Sequence, residues 1–397
     1  MDWTHPAHRG IVRDMNETVS CDIAIVGGGH AGLLAALALD DAGFDVRVVD
    51  PVGRCAQPST GRTLALLAGS RMALEALGLW RHIAPVAWPV HRVDVRDTAS
   101  GGHVVYRSGE VGEGPLAHGV DNGRLRDALA AALPRALWLE GRVCAMPGRG
   151  RLLLADGRHV VTGLVIGADG RGSVVRRLAR IGLDRWSYRQ TALSFIVTHA
   201  HDSRHMVLER FRPGGPLATL PLASHRSGIT LVEPARTADA VHERLLAGDL
   251  SILEEHLADE LGAMAVDGAV QRYPLTAQHA SRYAAPGLAL VGDAAHGVHP
   301  IHAQGFNMGV ADIVSLVDVL RETRRRGRPP GGEELLRYER ERRPENASRL
   351  RMTDTLNRVF SSDIAPVREG RRWLLDTLAM TAPVRRRAIR HGMQMGG

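Results

Sequence analysis

Three short stretches of this 397-residue chain carry residue types whose spacing suits binding chemistry. The first is Gly27-x-Gly29-x-x-Gly32, set between the apolar run Asp22-Ile-Ala-Ile-Val26 and an Ala/Leu-rich stretch from Ala31 to Ala42. Glycines so spaced permit a tight turn, close approach of backbone to a pyrophosphate, and close helix–strand contact. The helix that follows offers free N–H groups to phosphate. Asp50 ends the next apolar run, 23 residues past Gly27, and is placed to accept hydrogen bonds from a ribose. The second stretch is Leu164-Val-Ile-Gly-Ala-Asp169-Gly170, followed by Ser173. Its acid either approaches a cofactor or caps the helix from Val174, and both readings stay open. The third is Leu288-Ala-Leu-Val-Gly-Asp-Ala-Ala-His296, continuing through Pro300, Gln304-Gly305 and Asn307. Gly292 and Asp293 end a strand there, with Asp293 reaching a ribityl chain or pyrophosphate bridge. Gly305, at a helix start, aims N–H groups at the negative pole of a flavin ring. A glycine fingerprint alone does not say which dinucleotide it holds; joined to the third stretch it indicates FAD and a redox enzyme.

Histidine is the side chain best suited to proton traffic near neutral pH, and His296, His299 and His302 cluster in the flavin loop. His302 is the first candidate to assist a substrate, with His299 and Pro300 beside it. A packed or hydrogen-bonded loop histidine is the plainer reading of each. Tyr188 and Tyr273 are weaker candidates. The run His199-Ala-His201-Asp202-x-x-His205 misses the spacing of a dinuclear metal site, so no metal is expected.

These residues need elements to hold them. Asp22–Val26, the glycine turn, the helix to Ala42 and the strand to Asp50 make a βαβ unit. Residues 63–80 read as helical. Asn122 to Leu133 reads as a helix with Leu125, Leu129 and Leu133 on one face. Residues 86–118, 137–166 and 188–235 read as strands, 238–261 as a helix, and the stretch from Gly305 to about Arg325 as another. Residues 326–332 read as a linker or exposed loop, followed by a mostly helical, basic tail.

Composition bounds the rest. All 50 residues of the Lys+Arg count are arginine, which removes a P-loop lysine, a PLP Schiff base and a lysine base. From Arg321 onward 19 arginines face 10 acids, a net of +9, so the first 320 residues sum to −2 of the total +7. No nucleic-acid module accompanies that basic tail, and no nucleic-acid partner is expected. An anionic membrane or plain solvent suits it better. Cys21, Cys55 and Cys144 are scattered and odd in number, as in a reducing compartment. Residues 1–20 read as a loose polar leader without an apolar signal core. No apolar run of about 18 residues offers a membrane span.

With these motifs in place, the chain resembles the class A flavoprotein aromatic hydroxylases, the para-hydroxybenzoate hydroxylase-like group, and within it the ubiquinone-biosynthesis hydroxylases. The resemblance rests on Gly27–Gly32, Arg62-Thr-Leu-Ala-Leu66, Ala168-Asp-Gly170 and Gly292–Asn307, with the central segment Glu209-Arg-Phe211…Gly215-Pro-Leu-Ala-Thr-Leu-Pro-Leu222 and the tail Tyr338…Arg342…Met352–Leu356…Phe360. It implies an α/β fold: a Rossmann-like FAD-binding domain of the glutathione-reductase type (21–69, 119–184 and 276–330), an interleaved β-sheet substrate domain (70–118 and 185–275) and C-terminal basic helices (331–397). It implies FAD as cofactor, NAD(P)H as co-substrate, and O2 spent on hydroxylating an aromatic ring, that of a polyprenyl phenol in ubiquinone biosynthesis. It also implies that Arg62 reaches the FAD phosphates, that Asn122 sets a polar group against the cofactor (a helix N-cap being compatible), and that Pro300 lies against the flavin ring. Departures from the pattern stand at His302 and Ala303, where the family has small residues and often glycine. Others stand at Ile229–Glu233, where a tryptophan is missing, and at Glu345, which replaces an aspartate. A cytoplasmic protein is expected, peripheral to the inner membrane or held in a biosynthetic complex through its basic tail. Rival readings are a flavin hydroxylase of secondary metabolism, an FAD-dependent reductase that consumes no O2, and a flavin-binding scaffold.

Overall fold

Continuous apolar runs make poor surface strands but good buried parallel ones. Ile23 to Val26 accordingly lies at the centre of a sheet whose order is Ala284–Ala285, Leu288–Leu290, His159–Gly167, Thr18–Val26, Val46–Asp50 and Trp138–Glu140. In this computed structural model, which describes residues 18–54 and 61–394 and only the backbone at His302, those runs pair in parallel: Ile23 with Val46 on one side and with Leu164 on the other. The edge strand Ala284–Ala285 pairs antiparallel with Leu288–Leu290. The helix His30–Asp41 packs onto this sheet, and the 22-residue helix Gln304–Arg325 packs against that helix. Most of the expected leader, and Cys55, lie outside the described residues.

A second sheet, nine-stranded among the described residues, runs His296–Gly297, Gln271–Ala280, Leu183–His199, Arg226–Pro234, Gly215–Ala223, Met206–Arg212, Arg92–Asp97 and His103–Arg107, with Met264–Val266 to one side. One face of it buries Leu193, Phe195, Leu217 and Ile229 under the helices Ala238–Leu246 and Ser251–Leu261. Val95 and Phe211, on the other face, pack on Ile301. The α/β architecture matches expectation.

Local readings were overturned in two places. Residues 63–80 are not one helix: Thr63–Leu67 is a strand, paired antiparallel with Ala117–Asp121 in a small three-stranded sheet, and the helix begins at Ala68. Pairing partners 50 residues away override the helical leaning of Thr-Leu-Ala-Leu. Residues 238–261 form two helices, because Gly248 (φ +82°) breaks the run. The expected domain boundary at 275/276 falls inside the strand Gln271–Ala280.

The tail is three helices, Glu334–Phe360, Ala365–Met380 and Ala382–Gly392. It is anchored to the body. Arg371 is buried and donates through Nε to Asp97 at 2.8 Å, and Ile389 and Met393 pack against Leu67 and Ala117. No helix among the described residues is long and apolar enough to cross a membrane.

Candidate active site

The glycine turn is built by exclusion. Gly27 sits at φ +113°, and a Cβ on Gly32 would overlap the Gly27 carbonyl oxygen. Only glycine at 32 lets the helix start so near the strand. A Cβ on Gly29 would meet nothing within 4 Å, so that corner is open. Gly29 begins the helix with no side chain capping it, which leaves the first N–H groups available to an anion. Asp50 accepts the Gly28 N–H at 2.7 Å and the Val52 N–H at 2.9 Å, holding the turn against the end of the second strand.

The Gly292-Asp293 turn meets both helices. Gly292 (φ +57°) has its Cβ direction 3.2 Å from the Ala31 side chain, and the Cβ direction of Gly309 comes 3.4 Å from the Gly292 Cα. Asp293 is half-exposed, with Arg171 Nε 3.6 Å away. Arg171 also donates to the Thr276 and Val298 carbonyls, tying this turn to the Asp169 turn and to the second sheet. Beneath lies a sealed polar cluster. Asp312 Oδ2 is 2.7 Å from His296 Nε2 and accepts the Gly292 N–H at 3.2 Å; Oδ1 accepts from Arg342 at 3.0 Å and from Asn346 at 2.9 Å. Burial raises the Asp312 carboxyl's proton affinity, but His296 and Arg342 outweigh it and hold the group below the ordinary range.

At the other predicted residues the structure shows which contacts are made. Asp169 Oδ2 accepts the Val174 and Val175 N–H groups at 2.6 and 3.1 Å, so it caps the short helix Val174–Leu178; its Oδ1 is buried without a partner. Asn122 starts the helix Asn122–Ala132, yet the capping side chain is that of Asp121, which accepts the Arg124 N–H; the Asn122 Oδ1 is buried and unpaired. The Asn122 carbonyl accepts from His30 Nε2 at 2.8 Å, and burial, joined by the Arg62 and Arg126 charges, lowers the His30 pKa. The Arg62 guanidinium lies over the Tyr273 ring, 4.8 Å from its centroid.

Asn307 does not extend a free amide. It donates to the Ala65 and Ala303 carbonyls and accepts the Leu67 N–H, stitching the Arg62 strand to the flavin loop. His299 is buried; its Nδ1 accepts the Ile301 N–H at 3.1 Å and its Nε2 has no partner. Burial lowers its pKa to about 4. With its one lone pair occupied, His299 is a donor and not the proton acceptor expected beside a substrate. Pro300 is exposed and leads into the turn Ile301–Ala303, where Ala303 adopts a left-handed conformation (φ +50°). The His302 backbone lies in that turn; its side chain is outside what is described. The helix from Gln304 has no side-chain cap, so Gly305 stands at an open positive pole.

Both helix starts therefore present free N–H groups, and two orphaned buried oxygens, Asn122 Oδ1 and Asp169 Oδ1, lie in the turns that flank them. This donor and acceptor set fits FAD. The spacing arguments missed Arg171, Asp312 and the anchoring Gln394, whose Nε2 donates to Gln304 Oε1 at 3.0 Å. An acid in the apolar stretch Gly309-Val-Ala-Asp312-Ile-Val was a readable signal for one of them. His199, from the discounted metal run, has both ring nitrogens hydrogen-bonded, to the His201 carbonyl and the Ser227 hydroxyl.

Comparison with known proteins points to the same cofactor. A family model described as an FAD binding domain matches residues 20–114 and 151–353. A ubiquinone hydroxylase, UbiL, of Rhodospirillum rubrum is 36% identical over 98% of this chain and 92% of its own length. The 3-demethoxyubiquinol 3-hydroxylase of Escherichia coli is 32% identical over 94% and 98%. Among solved structures, p-nitrophenol 4-monooxygenase PnpA of Pseudomonas putida superposes with a TM-score of 0.78 at 19% identity, covering 95% of this chain and 98% of its own. Klebsiella pneumoniae R204Q HpxO complexed with FAD gives 0.77, also at 19%, covering 95% and 99%. These two likenesses are of fold.

Proposed function

The chain belongs to the FAD-binding monooxygenase family of the ubiquinone hydroxylases, and on that footing we propose that it hydroxylates the ring of a polyprenylated phenol or hydroquinone, using NAD(P)H and O2. When bound, FAD takes reducing equivalents from NAD(P)H and activates O2. The chain's own residues do the rest. The Gly27–Gly32 turn and its helix receive the pyrophosphate, Asp50 the ribose, and Arg62, Asn122, Asp169, Gly292 and Asp293 the phosphates and ribityl chain. The helix start at Gly305, clamped by Asn307, faces the electron-rich edge of the ring. Pro300 and the inner face of the second sheet keep water out and orient the substrate. The observation that carries this reading is the meeting of the Gly292 turn with Ala31 at one helix start and with Gly309 of the other helix. A single nucleotide laid across that turn is served at both ends.

The names of the relatives favour a quinone precursor over another aromatic substrate. Disruption of the gene with quinone profiling by mass spectrometry tests this: a less-hydroxylated prenylated precursor should accumulate, and an unchanged quinone profile would move the assignment to a different aromatic or heteroaromatic compound.

Such a substrate resides in a bilayer, and the tail has a surface suited to one. Trp373 is 71% exposed and Met380 86%, with Ile364 and Val384 close by in the chain. Arg386, Arg387 and Arg390 follow in the chain, exposed and without acidic partners among the described residues. Exposed apolar side chains together with arginines suit an anionic membrane face. Because Ile389 and Met393 are core residues, point changes test this better than truncation. The pair Trp373→Ala/Met380→Ala should lower binding to anionic liposomes while the protein keeps its FAD; equal binding refutes the contact.

A further inference from the structure

Within the second sheet, side chains alternate between faces with period two. On the strand Met206–Arg212, Leu208 and Arg210 point to the helix-covered side: Leu208 packs with Leu253 and Leu257, and Arg210 donates to Glu260 at 2.8 Å. Val207 and Phe211 point to the other side. Val207 packs on Leu67 and Phe211 on Ile301 of the flavin loop. Glu209, between them, shares that inner face.

Its row across the sheet is Val95, Glu209, Ala218 and Thr230. Val95 belongs to the cluster that holds Ile301, immediately after Pro300. Glu209, Ala218 and Thr230 are all only half-buried, although they lie in central strands, while Leu208, Leu217 and Ile229 on the opposite face are sealed. Small Ala218 and Thr230 leave room beside the acid. The Glu209 carboxylate has no hydrogen bond or ion pair among the described residues, yet its oxygens are not enclosed. A carboxylate deep in a protein is normally paired. Of the charges on the same and adjoining strands, Arg210, Asp94 and Arg96 engage one another and Glu260 on the far face, while Asp97, on the same face as Glu209, is bound to the buried Arg371. From the flavin loop, His299 is buried against Tyr188 and neutral.

We propose that Glu209 is the catalytic proton acceptor for the substrate's phenol, a role the spacing arguments had given to His302 or His299. The assignment rests on the hydroxylase reading above. The phenol O–H bond breaks, its proton passes to a Glu209 oxygen, and the bonding pair stays on the phenolate, enriching the ring carbons ortho and para to it. After oxygen transfer the proton returns to the product's oxygen. Burial pushes the Glu209 carboxyl up to about 7, with the Arg210 charge opposing, so it can both take and return a proton near neutrality. The one unpaired acid among Val95, Ala218 and Thr230 suits a prenylated ring, which needs one polar contact and a greasy wall; the other acid on this face, Asp97, is bound to Arg371.

The test uses the FAD-loaded protein with 2-geranylphenol and with a ring-fluorinated analogue already ionised at the assay pH. Product per NADPH consumed is measured for wild type and for Glu209→Gln. Loss of a general base predicts a fall of roughly 10²-fold or more in hydroxylation of the parent phenol, with NADPH oxidation continuing uncoupled. The fluorinated phenol, which has no proton to give up, should lose under about 10-fold on the same scale. Equal losses on both phenols, or none on either, overturn the role of Glu209. Should Glu209→Gln fail to retain FAD, Glu209→Asp is judged by the same comparison. Wild-type protein that hydroxylates neither phenol refutes the hydroxylase reading itself, which separates that failure from the failure of Glu209.

Discussion

Asp312 offers the sharpest stability test because its surroundings are complete. It is fully buried, as is His296, and its two oxygens serve four donors: His296, the Gly292 N–H, Arg342 and Asn346. Asp312→Ala removes all four bonds and leaves Arg342, itself nearly sealed, with Glu345 as its one remaining acid, at a half-exposed site. Removing one partner of a buried ion pair costs about 3–5 kcal/mol, because the other charge stays behind without compensation. Against a typical total of about 5–15 kcal/mol, that is a large share. Urea unfolding followed by circular dichroism should show it. The double change Asp312→Leu/Arg342→Met, which empties the site of charge, should cost less than the sum of the singles by 2 kcal/mol or so. The pH dependence has a definite sign. A carboxylate held below its unfolded value contributes stability that is present above about pH 4 and is lost as pH falls further. Asp312→Ala should therefore differ most from wild type at neutral pH and converge with it in acid. Since Asp312 also holds the Gly292 N–H, FAD affinity should fall with stability. An Asp312→Ala protein within about 1 kcal/mol of wild type, or strictly additive singles, would refute the reasoning.

Two other perturbations act on backbone. Ala303→Gly relieves a left-handed alanine: about 1–2 kcal/mol of strain relief, less about 0.4–1 kcal/mol of added unfolded-chain entropy, gives a net gain near 0.5–1 kcal/mol, read as a higher denaturation midpoint. A lower midpoint would show that the turn does not strain alanine. Gly32→Ala drives a methyl into the Gly27 carbonyl, a backbone atom that cannot move aside, so the protein should purify colourless or insoluble; a yellow protein with full flavin content would contradict the packing.

What could be read before any coordinates were those features set by neighbours in sequence. Gly27, Gly29 and Gly32 sit within six residues, and their chemistry follows from backbone geometry that any chain must obey. The apolar runs at Ile23–Val26 and Leu164–Ile166 announce buried parallel strands because burial on both faces demands them. The second sheet and the helical tail were legible as types of element, and the Arg excess as a surface. The Leu288–Asn307 stretch added the flavin, and family resemblance the aromatic ring.

Spacing alone left open which group a side chain touches. Asp169 caps its own helix through one oxygen and leaves the other free, a division no pattern reveals. Thr63–Leu67 becomes a strand because Ala117–Asp121 and the Asn307 amide, some 240 residues on, supply its partners. His299 loses its place as a base to the N–H of Ile301, two residues away, once the loop folds tightly enough to bring them together. Glu209 reads as one acid among 43 until the sheet sets it, unpaired, in the row beside the flavin loop. Local backbone rules act through covalent neighbours and survive in the bare string of residues. Proton affinity and partner choice depend on desolvation and on charges a few ångströms away, and those distances exist only after distant segments have packed.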